Sequence, residues 1–161
     1  MQVEGSLAPL TAGLIASAYY ISHLTVRLFA SRVASARSVA DVASLLADAE
    51  EFAELPVRHN EEALNEQLGE IVDWVREEGD FDSPHAKTFL LLQTHMQRLP
   101  LPIADYKNDS RTALSQGACE LILFVSQLGR NSYYFLLLTS KFIIFPPGLC
   151  CCCQSLASSA R

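Results

Sequence analysis

Apolar residues recur along this chain at helical spacing. Between Pro9 and Leu128 the i, i+3, i+4, i+7 pattern dominates, and no run of strict alternation reads as a strand. Leu14, Ile15, Tyr19, Leu28 and Phe29 predict a first helix over 10–31, apolar nearly all round for two turns and so expected to be central and covered. Val39, Val42, Leu46, Ala49 and Ala53 predict a second helix after Ser38, closed off by Pro56. A third starts after Asn60, a favourable N-cap residue. Leu64, Leu68, Ile71, Val72 and Val75 form its apolar stripe, and Glu62, Glu66, Glu70 and Asp73 its solvated face. Ser83 caps a fourth, with Pro84 at the first helical position, where a missing N–H costs nothing. It runs to about Arg98, before Leu99-Pro100-Leu101-Pro102, which cannot be helical. A fifth opens near Asp109 or Ser110 and continues through Leu114, Ala118, Leu121, Ile122 and Val125. The expectation is an all-α bundle of about five helices with loops of ordinary length.

The chain changes character at Gly129. Tyr133-Tyr134-Phe135-Leu136-Leu137-Leu138 and Phe142-Ile143-Ile144-Phe145 are followed by two prolines and Cys150 to Cys153. Residues 1–128 are therefore expected to form the bundle, and 129–161 an atypical hydrophobic, cysteine-rich tail outside it. Ser140 and Lys141 interrupt the apolar stretch before it reaches the ~20 residues of a spanning helix. A membrane tether with palmitoylated cysteines is the less favoured reading of this tail. An aberrant chain end is the favoured one.

Length and composition fit one globular domain: 161 residues, half of them apolar. A net charge of −6 argues mildly against a free-standing nucleic-acid binder. The charge is uneven, however. Thirteen of the eighteen acids lie between Asp48 and Asp82, with only Arg58 and Arg76 among them, so the remainder is net positive. Cys119 is the lone cysteine of the body, and the start Met-Gln-Val-Glu-Gly lacks a basic leader region. Both suit a reducing compartment, in which the sequon Asn108-Asp109-Ser110 would stay idle.

No catalytic residues are assigned. The seven glycines form no phosphate-cradling loop before Lys-Ser/Thr, and there is no Gly-x-Ser-x-Gly, His-Glu-x-x-His or Cys-x-x-Cys. His59 beside Glu61 and Glu62 falls short of a metal-ligand set. Arg58, His59 and Asn60 are instead expected to organise a loop through hydrogen bonds to nearby carboxylates or carbonyls. His85, in the first turn of the fourth helix, is given the same structural reading. Tyr19 and Tyr20 read as core-edge aromatics rather than a base-stacking platform. On the fourth helix Lys87, Thr94 and Arg98 fall almost in line, with His95 near them. That stripe could follow a phosphate backbone while Phe89, Leu90 and Leu92 face the core. The plainer account is the ordinary polar face of an amphipathic helix.

Several strings resemble a known family: Ile15-Ala16-Ser17-Ala18-Tyr19-Tyr20, Thr25-Val26-Arg27-Leu28-Phe29 and Glu54-Leu55-Pro56-Val57-Arg58-His59-Asn60-Glu61. Phe81-Asp82-Ser83-Pro84-His85-Ala86-Lys87, Leu90-Leu91-Leu92-Gln93-Thr94-His95 and Leu101-Pro102-Ile103-Ala104-Asp105-Tyr106 continue the order. They resemble the Sec-63 domain of the large tandem-cassette superfamily-two helicases, and more closely the branch found in the activating signal cointegrator complex than the spliceosomal branch. The likeness runs from about Leu10 to about Leu121, part of a domain that normally continues into a helical module and a β-sandwich.

The resemblance implies a non-catalytic helical accessory domain that packs on the motor cassette of an ATP-dependent 3′–5′ helicase and helps guide single-stranded DNA or RNA. It implies that ATP and magnesium bind the motor domains, not this chain, which itself needs no cofactor. The implied partners are those motor domains and the other cointegrator-complex subunits, in nucleus and cytoplasm. A docking scaffold without nucleic-acid contact, or a small membrane-tethered protein, stand as alternatives.

Overall fold

A computed structural model describes residues 10–74, 81–115 and Leu121. Every regular element among the described residues is helical: α1 (Thr11–Ala18), α2 (His23–Arg32), α3 (Val39–Ala47), a 3-10 turn (Glu50–Phe52), α4 (Glu61–Ile71), α5 (Pro84–Gln97) and α6 (Ala104–Ala113). The expected fold class is thus the observed one. The tail from Gly129 lies outside the described residues, as do Val75, Ala118, Ile122 and Val125. No helix among the described residues is long and apolar enough to cross a membrane.

The expected first helix is two helices. Tyr20 turns left-handed at φ 57, a costly conformation for a bulky residue. Ser22 then caps α2, accepting from the Leu24 N–H. A second, long-range cap accounts for the break. Glu51, on the 3-10 turn, accepts hydrogen bonds from Ser22 N at 2.8 Å and Thr25 Oγ1 at 2.6 Å. Thr25 Oγ1 in turn accepts from Glu50 N at 3.0 Å. The carboxylate satisfies orphan donors and meets the positive end of the α2 dipole, which a continuous helix would not offer it.

The covered central helix is α5, not the first. It packs against α3, α4, α6 and the 3-10 turn, and every residue from Ala86 to Thr94 is buried. By contrast α1 buries only Ala16 and leaves Leu10 80% and Leu14 56% exposed. Apolar content all round a helix thus failed to identify the centre, because the centre carries polar side chains whose groups are satisfied internally. Thr88 and Thr94 donate back to the Pro84 and Leu91 carbonyls. Gln93 exchanges both amide groups with the backbone N–H and C=O of Trp74.

Two apolar clusters flank α5. Phe89 and Leu92 join Phe29, Val42, Leu46, Phe52 and Leu121 in one. Leu90 and Leu91 join Leu55, Leu68, Val72 and Tyr106 in the other. Ser38 closes a full capping box on α3 with Asp41, whose carboxyl is held below its ordinary range chiefly by the Arg37 N–H. Ala53, expected on the inner stripe of the second helix, is exposed, because the chain has already left the helix at Ala47. Ile71 is likewise exposed at the end of α4. The acidic face of α4 (Glu62, Glu66, Glu70, Asp73) is exposed as expected. Gly69 lies where a Cβ would come within 3.1 Å of the Phe81 ring, a contact tight enough that the ring would have to shift slightly.

The Thr25–Glu51 junction gives the first prediction. Thr25→Val, which leaves the half-buried Glu51 carboxylate and the Glu50 N–H short of a partner, costs about 1–3 kcal/mol. Urea denaturation should show a lower midpoint with an unchanged slope.

Candidate functional site: a buried ion cluster and an adjoining cleft

Lys87 is the centre of the side-chain chemistry, and it is wholly buried. Its Nζ donates to Pro56 O at 2.7 Å, Glu61 Oε2 at 2.6 Å and Asp109 Oδ2 at 2.7 Å, which uses all three N–H groups. The ammonium also sits 4.8 Å from the centre of the Tyr106 ring, within cation–π range. Arg58 closes the other side. Its guanidinium grips Asp109 with two hydrogen bonds, 2.7 and 3.2 Å, and reaches Glu61 at 2.9 Å. Two cations thus meet two carboxylates, with Asp105 at the exposed edge, 3.7 Å from Arg58 Nε.

Local sequence explains the placement. Pro56 ends the preceding segment, and Asn60 adopts φ 73, a left-handed conformation that asparagine tolerates. Asn60 occupies the N-cap position without a side-chain cap, and the Glu61 carboxylate instead ties down the preceding loop, accepting the Arg58 N–H at 2.9 Å. Arg58 thus bonds the nearby Glu61 and Asp109 carboxylates, while His59 is exposed and Asn60 has no side-chain cap. His85 donates Nδ1–H to the Ala47 carbonyl at 2.9 Å, satisfying the end of α3. α6 begins at Ala104, five residues before the expected start, so Asp109 lies within the helix and is an inward ion partner.

Burial raises the carboxyls of Glu61 and Asp109. The hydrogen bonds from Lys87 and Arg58 outweigh it and hold both below the ordinary carboxylate range. The Tyr106 phenol is pushed up, by burial first and then by the Glu61 and Asp109 charges. It donates to Asn65 Oδ1 at 2.7 Å, and Asn65 Nδ2 donates to Phe81 O at 2.8 Å. The network joins α4, α5, α6 and the loop before α4.

The stripe of Lys87, Thr94, His95 and Arg98 is aligned as expected but does not face outward along its length. Lys87 and Thr94 stand at i and i+7 on the line of buried Leu90 and Leu91, so the first seven residues of the stripe point into the core. Lys87 is therefore unavailable to a phosphate backbone in this structure. The same line surfaces at the end of α5. Thr94, His95 and Arg98 line a cleft of about 460 Å³ together with Met96, Leu99, Leu101 and Ser110. Arg98 is exposed there at φ 55, an αL C-cap. The His95 imidazole is pushed down by burial and then by the Arg98 charge, which favours its neutral form at pH 7. The inward orientation of Lys87 was legible in one signal, its i, i+3, i+4 relation to Leu90 and Leu91.

This geometry yields three predictions. Lys87→Met, which strands two buried carboxylates on Arg58 alone, costs about 3–5 kcal/mol in denaturant unfolding at pH 7. Glu61 and Asp109 ionise at lower pH folded than unfolded, so the stability they contribute is fully present above about pH 4–4.5 and drains as pH falls through their folded values. In Lys87→Met this acid loss should shrink, which a pH series of unfolding curves would measure. Arg98→Gly, by contrast, relieves a left-handed L-residue and should raise stability by about 1 kcal/mol.

Comparison with known proteins places this arrangement. Residues 9–139 match the Sec63 Brl domain family model. The chain is 44% identical over 123 residues to the human "Activating signal cointegrator 1 complex subunit 3", an alignment covering 75% of this chain and 6% of that protein. It is 42% identical over 113 residues to the Arabidopsis thaliana "DExH-box ATP-dependent RNA helicase DExH14", covering 70% and 5%. With the human "U5 small nuclear ribonucleoprotein 200 kDa helicase" it shares 33% identity over 130 residues, 81% of this chain and 6% of that protein. The chain thus spans about 6% of the length of the curated relatives it matches. With the family model matching most of its length and an all-helical architecture to go with it, the chain belongs to the Sec63 Brl domain family.

Proposed function

We propose that this chain acts as a non-catalytic accessory domain of an ATP-dependent helicase, docking on the motor cassette through an apolar face. The observation that carries this reading is the inverted surface of the first two helices. Leu10 and Leu14, one turn apart on α1, are exposed, as are Tyr20 and Leu24, while charged Lys87 is internal. Apolar residues displayed on a helix face are the usual mark of a protein interface. The relatives named as helicases support a motor-domain partner. ATP and magnesium belong to that motor, and the other subunits of a cointegrator-type complex are the further partners this reading entails, with residence in nucleus and cytoplasm.

A second reading, guidance of single-stranded nucleic acid, is favoured by the cleft, where three of the four candidate residues (Thr94, His95, Arg98) come together. Lys87 has no part in it.

The docking test adds this chain to a motor cassette from such a helicase lacking the corresponding segment. Leu10→Ser/Leu14→Glu should weaken association at least about tenfold, while leaving the chain's own stability within about 0.5 kcal/mol, since both positions are exposed. Unchanged association would remove α1 from the interface. Salt-sensitive binding of a labelled oligonucleotide, weakened in Arg98→Gln, would support the second reading.

A further inference from the structure

The turn between α2 and α3 (residues 33–37) sets an exposed serine between two arginines. Residues 5–40 contain no acid but do contain Arg27, Arg32 and Arg37, so this part of the chain is basic. Three hydroxyls lie near the turn, and they differ in what they do. Ser31 lies within α2 and donates to Leu28 O at 2.8 Å. Ser38 is committed as the N-cap of α3, accepting from Asp41 N at 3.1 Å. Ser35 stands on the turn itself. It is exposed while Val33 and Ala36 are buried, and its hydroxyl donates to Arg32 O at 2.7 Å. The N–H groups of Val33, Ser35 and Arg37 go to Phe29 O, Arg32 O and the Asp41 carboxylate, local bonds of the kind that open most readily.

Arg32, three residues before Ser35, is half exposed and binds Asp48 Oδ2 through Nη1 at 2.7 Å. Arg37, two residues after it, is exposed, and its guanidinium makes no hydrogen bond or ion pair among the described residues. Arg32 and Ser35 line one small cleft of about 220 Å³, with Asp41 at its edge. Guanidiniums on either side of an accessible hydroxyl suit an acidic kinase groove before phosphoryl transfer and the phosphate after it. We infer that Ser35 is a phosphoacceptor for an arginine-directed serine kinase and that its phosphate draws Arg32 away from Asp48. In the transfer, Ser35 Oγ attacks the γ-phosphorus of ATP as the bond to the ADP oxygen breaks. The hydroxyl proton passes to the kinase's base, and ADP leaves. The product replaces a hydroxyl donor with about −1.5 to −2 charges. It stands just past the C-terminus of α2, where negative charge opposes the helix dipole, and beside Asp41. Arg32 and Arg37 are the cations next to it. The Arg32–Asp48 pair ties the end of α2 to the C-cap of α3, so phosphorylation loosens that tie.

The test incubates the full chain with ATP and the catalytic subunit of cyclic-AMP-dependent kinase, an arginine-directed enzyme, and locates the product by mass spectrometry of the intact chain and its peptides. One phosphoryl group on Ser35 is expected. It should be absent in Ser35→Ala and form at least about tenfold more slowly in Arg32→Gln. Both variants should keep the parent's circular dichroism, since both side chains are at the surface, which separates lost recognition from lost folding. In the phosphorylated chain the Arg32 guanidinium nitrogen-15 and Asp48 carboxyl carbon-13 resonances should move, and the melting midpoint should fall by a few degrees. No labelling of the folded chain, labelling at Ser31 or Ser38 in place of Ser35, or labelling that requires urea would overturn the assignment. An unchanged rate in Arg32→Gln would overturn the part given to Arg32 in recognition. Arg32 and Asp48 resonances that stay in place after phosphorylation would overturn the exchange of partners.

Discussion

The Lys87 ammonium is shut away from water, and the arrangement of three helices and a loop follows from having to satisfy it. A buried cation is costly, by several kcal/mol even after relaxation, unless its donors all find acceptors and its charge is balanced. Here the acceptors come from three places: the Pro56 carbonyl before α4, Glu61 at the start of α4, and Asp109 in α6. Arg58 neutralises what Lys87 leaves, and the outermost charge, Asp105, is exposed. Without Asp105, the four remaining groups are net neutral, and they fix the angles at which α4 and α6 approach α5. Apolar contact could bring those helices together, but it is less particular about register than a cation with three fixed hydrogen bonds.

That constraint organises the rest. With Lys87 pinned, Leu90 and Leu91 face the cluster containing Leu68 and Tyr106, and Phe89 and Leu92 face the one containing Phe29 and Leu46. Lys87, Thr88, Gln93 and Thr94 of α5 are all bonded inside the molecule, and exposed apolar side chains remain on α1 and at Tyr20. Only at its C-terminal end does α5 bring polar groups to a surface, and the cleft forms there.

Much of this architecture was legible in the residues. Ser38, Ser83-Pro84 and the Leu99–Pro102 segment marked boundaries because capping and proline chemistry are local. The acidic face of α4 was legible for the same reason. The misreadings came where long-range partners decide. Nothing near Tyr20 in sequence reveals that Glu51, 29 residues beyond Ser22, will cap a second helix. The apolar all-round character of α1 suggested a core position, whereas a helix carrying threonine, glutamine and lysine fills it: Thr88 and Thr94 bond back to their own helix, and Lys87 and Gln93 reach distant partners. For the candidate site, Lys87, Thr94 and Arg98 were read as one line, but which side of that line faces solvent depends on Asp109, whose helix begins five residues before the expected start.

Glu61 and Asp109 remain charged because Lys87 and Arg58 hold them, and carboxyl carbon-13 shifts followed against pH in the intact chain test this most directly. The structure predicts that both carboxyls stay ionised through the ordinary carboxylate range and take up protons only at lower pH, as the fold is lost. Independent titration of either group near its ordinary value, about 3.9 for aspartate or 4.3 for glutamate, in a chain that stays folded would contradict it.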